Sequence, residues 1–208
     1  MYKIGVILLK FIFKIFLNYK IEGLENVPLD KGVIIASNHV SLLDPPLIGT
    51  FLPRKIHYMA KEELFQIPVL GYIITKLNAF PVKRGTADRV AIKKAINLLS
   101  EGKCLGLFPE GTRSKDGNLG SAEPGMALIA VKADVPVVPV AIVFDGNKIL
   151  GSNIKIKFGR PMLHNKELTG KDAMQEIPRG QRTSRCDESG RSFPPTIRIK
   201  VRRLSAHR

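Results

Sequence analysis

The first 160 positions contain short apolar runs and short segments in which apolar and polar residues alternate. Brief apolar runs predict buried strands, and they read VIIAS (33–37), CLGL (104–107) and VPVVPVAIVF (135–144). KIHYMAKEEL predicts another strand followed by a helical turn, and AFPVKRG predicts a strand that runs into a basic corner. IKIKFG alternates apolar and polar residues, which predicts an edge strand.

The clearest helix is predicted in TADRVAIKKAINLLSEGK. Its apolar residues recur at helical spacing, Thr86 or Asp88 can cap its start, and Gly102 can end it. Shorter helices are predicted in LGYIITKL and PGMALIAVKA. Because strands alternate with helices, the sequence predicts an α/β layered fold with functional loops at the ends of strands.

The first 20 residues are the most apolar stretch of the chain, yet lysines interrupt them. Lys10 and Lys14 prevent any run from approaching the ~18 apolar residues of a spanning helix. One helical stripe carries Lys3, Lys10, Lys14 and Asn18, and apolar residues cover most of the remaining surface. Residues 1–18 are therefore predicted to be a membrane-interface helix whose lysines reach lipid phosphates. An ordinary core helix and a signal peptide are the alternatives.

The length of the chain predicts one domain, and its charge predicts an anionic partner. The chain has 208 residues, 44% of them hydrophobic, and a formal charge of +15, which favours nucleic acid, phospholipid head groups or a phosphorylated small molecule. Residues 178–208 hold nine Lys or Arg against two acids, so this tail carries +7 of that charge. The nucleic-acid interpretation is weakened accordingly. The globular domain is predicted over 19–177, and the tail is predicted to be disordered, either as an altered C-terminus, such as a frameshift gives, or as a real basic tail.

The two cysteines and the lack of nucleotide-binding motifs exclude several kinds of site. Cys104 and Cys186 form neither a metal-ligand spacing nor a disulfide framework, which favours a reducing compartment. No Walker loop, zinc spacing or dinucleotide fingerprint occurs, so no bound cofactor or metal is predicted. Ser41 lacks the GxSxG setting of a hydrolase nucleophile.

His39 and Asp44 lie five residues apart, directly after the predicted strand VIIAS. Imidazole titrates near neutrality and a carboxylate can fix its tautomer, so the pair has the ingredients of a general base and its partner. On a regular helix five residues turn by about 500°, and the side chains would diverge by roughly 140°. The two can meet only across a turn, after which Pro45 or Pro46 can begin a helix. The alternative is an ordinary turn with no catalytic role.

Two further loops have the composition of anion-binding sites. In FPEGTRS (108–114), Gly111 permits close backbone approach, Thr112 can hydrogen-bond, and Arg113 can hold a phosphate through two hydrogen bonds. The basic corner VKRG contributes Lys83 and Arg84. Each loop taken alone is also consistent with a solvated turn.

Four blocks in one order carry a family resemblance. NHVSLLD, FPVKRG, FPEGTRS and VPVVPVAI, at these separations, resemble the blocks of the bacterial 1-acyl-sn-glycerol-3-phosphate acyltransferases, the PlsC-like lysophosphatidate acyltransferases. The resemblance extends from about Tyr19 to Gly159 and includes FGRP as a late element. It implies a glycerol-3-phosphate acyltransferase-like α/β fold, a layered mixed sheet flanked by helices, behind the N-terminal interfacial helix.

The resemblance also implies residue roles and partners. His39 would be the general base and Asp44 its partner. Glycerol phosphate would be bound by Lys83, Arg84, Glu110, Gly111, Thr112 and Arg113. The acyl region would be lined by Val135, Pro136 and Pro139.

The implied reaction moves a fatty acyl group from acyl-CoA or acyl carrier protein, as co-substrate, to the sn-2 hydroxyl of lysophosphatidate on the cytoplasmic face of the cell membrane. The enzyme would be monotopic or peripheral there, with the phospholipid surface as its partner and no nucleic acid. The alternatives are a related acyltransferase acting on another lysophospholipid or on glycerol 3-phosphate, and a non-catalytic basic protein that binds membranes or nucleic acid.

Overall fold

The computed structural model describes residues 2–39, 41–83, 88–111, 124–145 and 153–163. The helices in these ranges are α1 (Tyr2–Phe16), α2 (Asp44–Phe51), α3 (Pro68–Lys76), α4 (Arg89–Ser100) and α5 (Pro124–Ala133). The strands are β1 (Asn18–Glu22), β2 (Val33–Ser37), β3 (Ile56–Lys61), β4 (Ala79–Val82), β5 (Cys104–Leu107), β6 (Val137–Asp145) and β7 (Asn153–Phe158). Two 3-10 turns span Leu24–Asn26 and Glu62–Gln66.

The described strands form one seven-stranded mixed sheet in the order β1-β7-β6-β2-β5-β3-β4. Strands β2 to β6 run parallel to one another. Strand β7 is antiparallel to β6, and β1 is parallel to β7. This arrangement confirms the predicted α/β class with a mixed sheet flanked by helices.

The position of β7 differs from the sequence prediction, which made IKIKFG an edge strand. β7 lies inside the sheet, between β6 and β1, and β1 takes the edge. Its alternation arises because Ile154, Ile156 and Phe158 are buried on one face while the lysines between them face the other way. Alternation therefore reports which face is buried and not how many neighbours a strand has. The edge strand β1 was not predicted, because its NYKIE sequence continues into charged residues.

Helices cover both faces of the sheet, and the sheet divides the core into two clusters. Strand β2 is buried along its whole length and contributes to both. Val33 and Ile35 point to the cluster formed with α1 and α2, whereas Ile34 and Ala36 point to the cluster formed with α4 and α5. Because side chains alternate across a strand, a run as apolar as VIIAS is what a strand covered on both faces requires.

Helix α1 is apolar around much of its circumference. Phe13 is buried in the core on one side of the helix, and Leu17, just beyond it, is buried in the same cluster. The other side exposes Ile4, Ile7, Leu8, Phe11, Ile15 and Phe16. Asn18 belongs to β1, so the predicted lysine stripe ends before it. Among the described residues, no helix is both long and apolar enough to cross a bilayer.

Gly23 provides a test of how β1 is held at the edge of the sheet. Its φ is +78°, and a Cβ added there would lie 2.0 Å from the Phe158 carbonyl oxygen. Gly23→Ala is therefore expected to lower the free energy of unfolding by about 1–3 kcal/mol, as overpacking does. Urea denaturation measures the change.

Gly125→Ala is the matched control, because the residue is helical and, among the described residues, no atom beyond its neighbours and its own helix backbone lies within 4 Å of its added Cβ. It is expected to leave stability unchanged or to raise it slightly. Equal stability of Gly23→Ala and the wild-type protein would contradict this account of the β1–β7 contact.

Candidate active site

The predicted site residues gather at the ends of β2 and β5. These two strands are parallel neighbours, but the connections that follow them lead to opposite halves of the sheet. After β2 the chain passes through α2 on one face of the sheet and reaches β3, whereas β5 is followed by α5 on the other face and then β6. Such a switch point opens a crevice at the carboxyl ends of the strands, where α/β proteins bind ligands. His39 follows β2 by two residues, and Phe108 follows β5 directly.

His39 and Asp44 meet in this crevice. His39 Nδ1 lies 2.8 Å from Asp44 Oδ2, and the carboxylate is fully buried while the imidazole keeps slight exposure. A turn brings them together, because the Ser41 N–H donates to Asp44 Oδ2 at 2.8 Å and the Asp44 N–H donates to the Ser41 carbonyl at 3.3 Å. The sequence predicted this turn, and α2 begins with prolines in its first turn, also as predicted.

The contact determines what each imidazole nitrogen can do. An ionised Asp44 accepts a hydrogen bond from Nδ1–H, so in the neutral ring the lone pair is on Nε2. Asp44 lies in the first turn of α2, where the partial positive charge of the helix N-terminus favours a carboxylate. The arrangement can take up a proton on Nε2 and stabilise the imidazolium that results.

An aromatic stack supports His39 from the neighbouring strands. The His39 ring stacks on Phe108 with centroids 4.1 Å apart, and Tyr58 lies parallel to Phe108 at 6.2 Å. The Tyr58 O–H donates to the Pro45 carbonyl at 3.0 Å, which ties β3 to the start of α2. Burial raises the pKa of Tyr58 well above its usual value, so this hydroxyl remains a donor at neutral pH. Gly106 makes room for the ring, because a Cβ there would lie 2.2 Å from it.

Asn38 fixes the end of β2 against β6. Its amide Nδ2 donates to the Ile142 carbonyl at 2.9 Å, and its Oδ1 accepts from the Ile142 N–H at 2.8 Å. The side chain thus continues the ladder by one more pair after the strand has ended. His39 is the next residue, so its backbone starts from a fixed position.

The described residues of the predicted phosphate site lie, like His39, at the carboxyl ends of the parallel strands, which we call the site edge of the sheet. Lys83 follows β4, its side chain is exposed, and its backbone N–H donates to Asp88 Oδ2 at 2.9 Å. Glu110 and Gly111 follow β5, where Gly111 has φ +66° and donates its N–H to the Phe108 carbonyl at 3.0 Å. Strand β4 lies three places from β2, which separates them by roughly 14 Å. Arg84, Thr112 and Arg113 lie outside the described residues.

The residues predicted to line the acyl region do not all reach this edge. Pro139 pairs with Ala36, three residues before His39. Val135 and Pro136 are buried at the opposite end, since Val140 pairs with Ser37 and Val135 lies five residues before it, about 17 Å along the strand. The structure therefore brings Pro139 near the site but not Val135 or Pro136.

Other features of the structure lie away from this crevice. Burial raises the pKa of the Cys104 thiol to about 12, so it stays protonated at the start of β5. A surface cavity of about 560 Å³ runs along α4 and is lined by basic residues such as Arg89 and Lys93. None of the predicted site residues lines it, and we place the candidate site at the sheet edge because the His39–Asp44 contact is there.

Sequence reasoning missed the residues that support the dyad. Asn38 and Ser41 lie inside the NHVSLLD block, and their polar side chains next to a predicted turn were the available signal. Tyr58 and Phe108 gave no such signal, because their stacking depends on β3 and β5 being neighbours in the sheet.

Comparison with known proteins identifies the class. The family model described as Acyltransferase matches residues 18–143. A 1-acyl-sn-glycerol-3-phosphate acyltransferase of Bacillus subtilis is 41% identical over 143 residues, which is 68% of this chain and 70% of that protein. The chloroplast enzyme LPAT1 of Arabidopsis thaliana is 38% identical over 63% of this chain but only 37% of its own length. The crystal structure of PlsC, the 1-acyl-sn-glycerophosphate acyltransferase of Thermotoga maritima, is similar with a TM-score of 0.68, 31% identity, and coverage of 86% of this chain and 77% of that one.

Fold and site together define an acyltransferase. With the matched model covering more than half of the chain, and a relative 41% identical over most of its own length, the chain belongs to the acyltransferase family, and within it to the 1-acyl-sn-glycerol-3-phosphate acyltransferases.

The Cys104 thiol yields a testable prediction. With a pKa of about 12 it is ionised in about one molecule in ten thousand at pH 8. In a Cys186→Ser background, which leaves Cys104 as the one thiol, native protein is expected to react with a disulfide reagent on the order of a thousandfold more slowly than urea-unfolded protein. Absorbance of the released thiol measures both rates. Similar rates in the two states would contradict the burial of Cys104.

Proposed function

We propose that the chain transfers a fatty acyl group from a thioester carrier, acyl-CoA or acyl carrier protein, to the sn-2 hydroxyl of lysophosphatidate and so produces phosphatidate for phospholipid biosynthesis. The observation that carries the proposal is the 2.8 Å contact between His39 and a fully buried Asp44 at the switch point of the sheet. The substrates named in the titles of its relatives support the choice of acceptor. No bound cofactor is required.

The proposed chemistry uses His39 as a general base. Nε2 removes the proton of the sn-2 hydroxyl while its oxygen attacks the thioester carbonyl carbon, and the Asp44 carboxylate stabilises the imidazolium. The tetrahedral intermediate then collapses, the carbon–sulfur bond breaks, and the leaving thiolate takes the proton from the His39 imidazolium, which returns to its neutral form. The new ester bond is made without an acyl-enzyme intermediate. The contacts of Ser41 fit a route in which it is not the nucleophile. Its hydroxyl oxygen accepts a hydrogen bond from the Leu43 N–H, and its own N–H donates to Asp44 Oδ2.

The acceptor phosphate is proposed to bind across the same edge of the sheet. Lys83 supplies a cation at the end of β4, and Gly111 allows a close approach of the backbone after β5. Arg84, Thr112 and Arg113 are assigned to the phosphate from their sequence blocks, since arginine can bind phosphate through two hydrogen bonds. A carboxylate repels phosphate, so Glu110 is assigned to orienting these cations or to accepting a hydrogen bond from a glycerol hydroxyl.

The proposed location is the cytoplasmic face of the cell membrane, where the enzyme is monotopic or peripheral. The exposed apolar residues of α1 support it, because such a face with lysines beside it suits the interface between acyl chains and head groups. The acceptor is itself a membrane lipid. Attachment therefore brings the site to its substrate.

Substituting the dyad tests the base assignment. His39→Ala is expected to lower kcat by roughly 10²- to 10⁴-fold with little change in KM for either substrate. Asp44→Asn keeps the size of the side chain, but its amide can donate to Nδ1 and move the ring proton to Nε2, so a loss of similar order is expected. The assay follows labelled acyl-CoA into lipid, with the product identified by mass. A kcat near the wild-type value in His39→Ala would contradict the mechanism.

Arg113→Ala tests the phosphate assignment separately from the chemistry. Because its contact forms in the bound ground state, the loss is expected to raise KM for lysophosphatidate tenfold or more, as for a charge-assisted hydrogen bond worth ~1.5–3 kcal/mol. KM for the thioester should hardly change. If only the thioester KM rises, the loop binds the carrier instead. A panel with glycerol 3-phosphate and other lysophospholipids as acceptors distinguishes the related activities.

A further inference from the structure

Helix α3 exposes large apolar side chains that no described residue covers. Val69 is 72% exposed, Tyr72 57% and Ile73 46%, and Ile67, just before the helix, is also exposed. In a nine-residue helix this leaves few apolar residues for the core, and Gly71 is its one buried residue. A contiguous exposed apolar face of this kind indicates a binding surface rather than a solvated helix.

The end of α3 lies close to the start of α1. A Cβ added to Gly5 of α1 would lie 3.4 Å from the Leu77 side chain, which directly follows α3. The start of α1 therefore lies against the residue that directly follows α3. We call their most exposed apolar residues the α1–α3 surface, and they are Ile4, Ile7, Leu8, Phe11, Ile15 and Phe16 of α1 with Val69, Tyr72 and Ile73 of α3.

Charge indicates what this surface binds. Lys10 and Lys14 on α1 and Lys76 on α3 are exposed, and neither helix contains an acidic residue. Lys76 Nζ lies 5.4 Å from the centre of the Tyr72 ring, so the cation sits beside the apolar side chains. Lysines bordering an apolar face place their stems along hydrocarbon and their ammonium groups at phosphates. An acidic protein would pair with the lysines but would not need so much exposed hydrocarbon.

We propose that α3 is a second membrane-contact element, and that the α1–α3 surface as a whole inserts among the head groups of an anionic lipid bilayer. This rests on the proposed function, in which the acceptor is an anionic lipid of that bilayer. Helix α1 alone is one rod of about 22 Å and leaves the protein free to roll about its axis. A second contact from α3 removes that freedom and sets the angle at which the sheet edge with His39 meets the membrane.

Fluorescence tests the proposal cleanly, because the chain contains no tryptophan. Val69→Trp reports on α3, Leu8→Trp reports on α1, and Val90→Trp is the matched control, since Val90 is 80% exposed on α4, which packs on the other face of the sheet. With vesicles of phosphatidylglycerol and phosphatidylcholine, emission from Val69→Trp and Leu8→Trp is expected to shift to shorter wavelength and to be quenched by brominated acyl chains. Val90→Trp should not respond, and vesicles of phosphatidylcholine alone should give weaker signals.

Vesicle sedimentation provides the second readout. Ile73→Asn is expected to lower the partition coefficient roughly tenfold, the factor for losing the burial of one large aliphatic side chain, while Val90→Asn leaves it unchanged. Acyl transfer to a short-chain, monomeric lysophosphatidate should be the same in both variants. That soluble assay separates the two hypotheses, because its failure in the wild-type protein would overturn the proposed function without bearing on membrane contact.

Two results would overturn the role of α3. In the first, Leu8→Trp responds to vesicles and Val69→Trp does not, which means that α1 binds alone. In the second, Val69→Trp emits at short wavelength before vesicles are added and does not change, which means that protein covers α3. Dilution and truncation after residue 163 would then tell a second copy from the chain's own C-terminal segment.

Discussion

A buried carboxylate is the interaction on which the rest of the site depends. Asp44 has no solvent exposure, and burying a charge is costly unless hydrogen bonds replace water. Its Oδ2 accepts from both His39 and the Ser41 backbone, and the start of α2 adds a favourable dipole. The contact of Oδ2 with Nδ1 also fixes the position and tautomer of the imidazole.

The sheet makes that turn possible. β2 is buried on both faces and so holds its end rigidly, and Asn38 extends its pairing to β6 by one more residue. From the other side, Phe108 stacks on the ring of His39 and Tyr58 stacks on Phe108, which links the imidazole to β5 and, through Phe108, to β3. These strand ends lie together because β2, β5 and β3 are neighbouring parallel strands, with α2 and α5 on opposite faces of the sheet. The catalytic geometry is thus a property of the whole sheet.

Much of this was predictable from local patterns in the sequence. Apolar runs and caps predicted most helices and strands. NHVSLLD offered a turn across which His39 and Asp44 could meet, and the family resemblance implied their pairing. What local patterns cannot give is the order of strands, because neighbours in a sheet are distant in sequence. That is why β7 was misassigned to the edge, β1 was missed, and the contribution of Phe108 was not foreseen. Val135 was assigned to the acyl region from a sequence block, which contains no information about which end of the strand faces the crevice.

The central claim is that Asp44 keeps the proton of the neutral His39 ring on Nδ1 and leaves Nε2 free to act as a base. Nitrogen-15 NMR of the histidine rings measures this directly, with His39→Gln used to assign the His39 signals. The account predicts that neutral His39 is the Nδ1–H tautomer in the wild-type protein and changes tautomer in Asp44→Asn. A neutral His39 protonated on Nε2 in the wild-type protein would contradict it, since that nitrogen could not accept the proton of the acceptor hydroxyl.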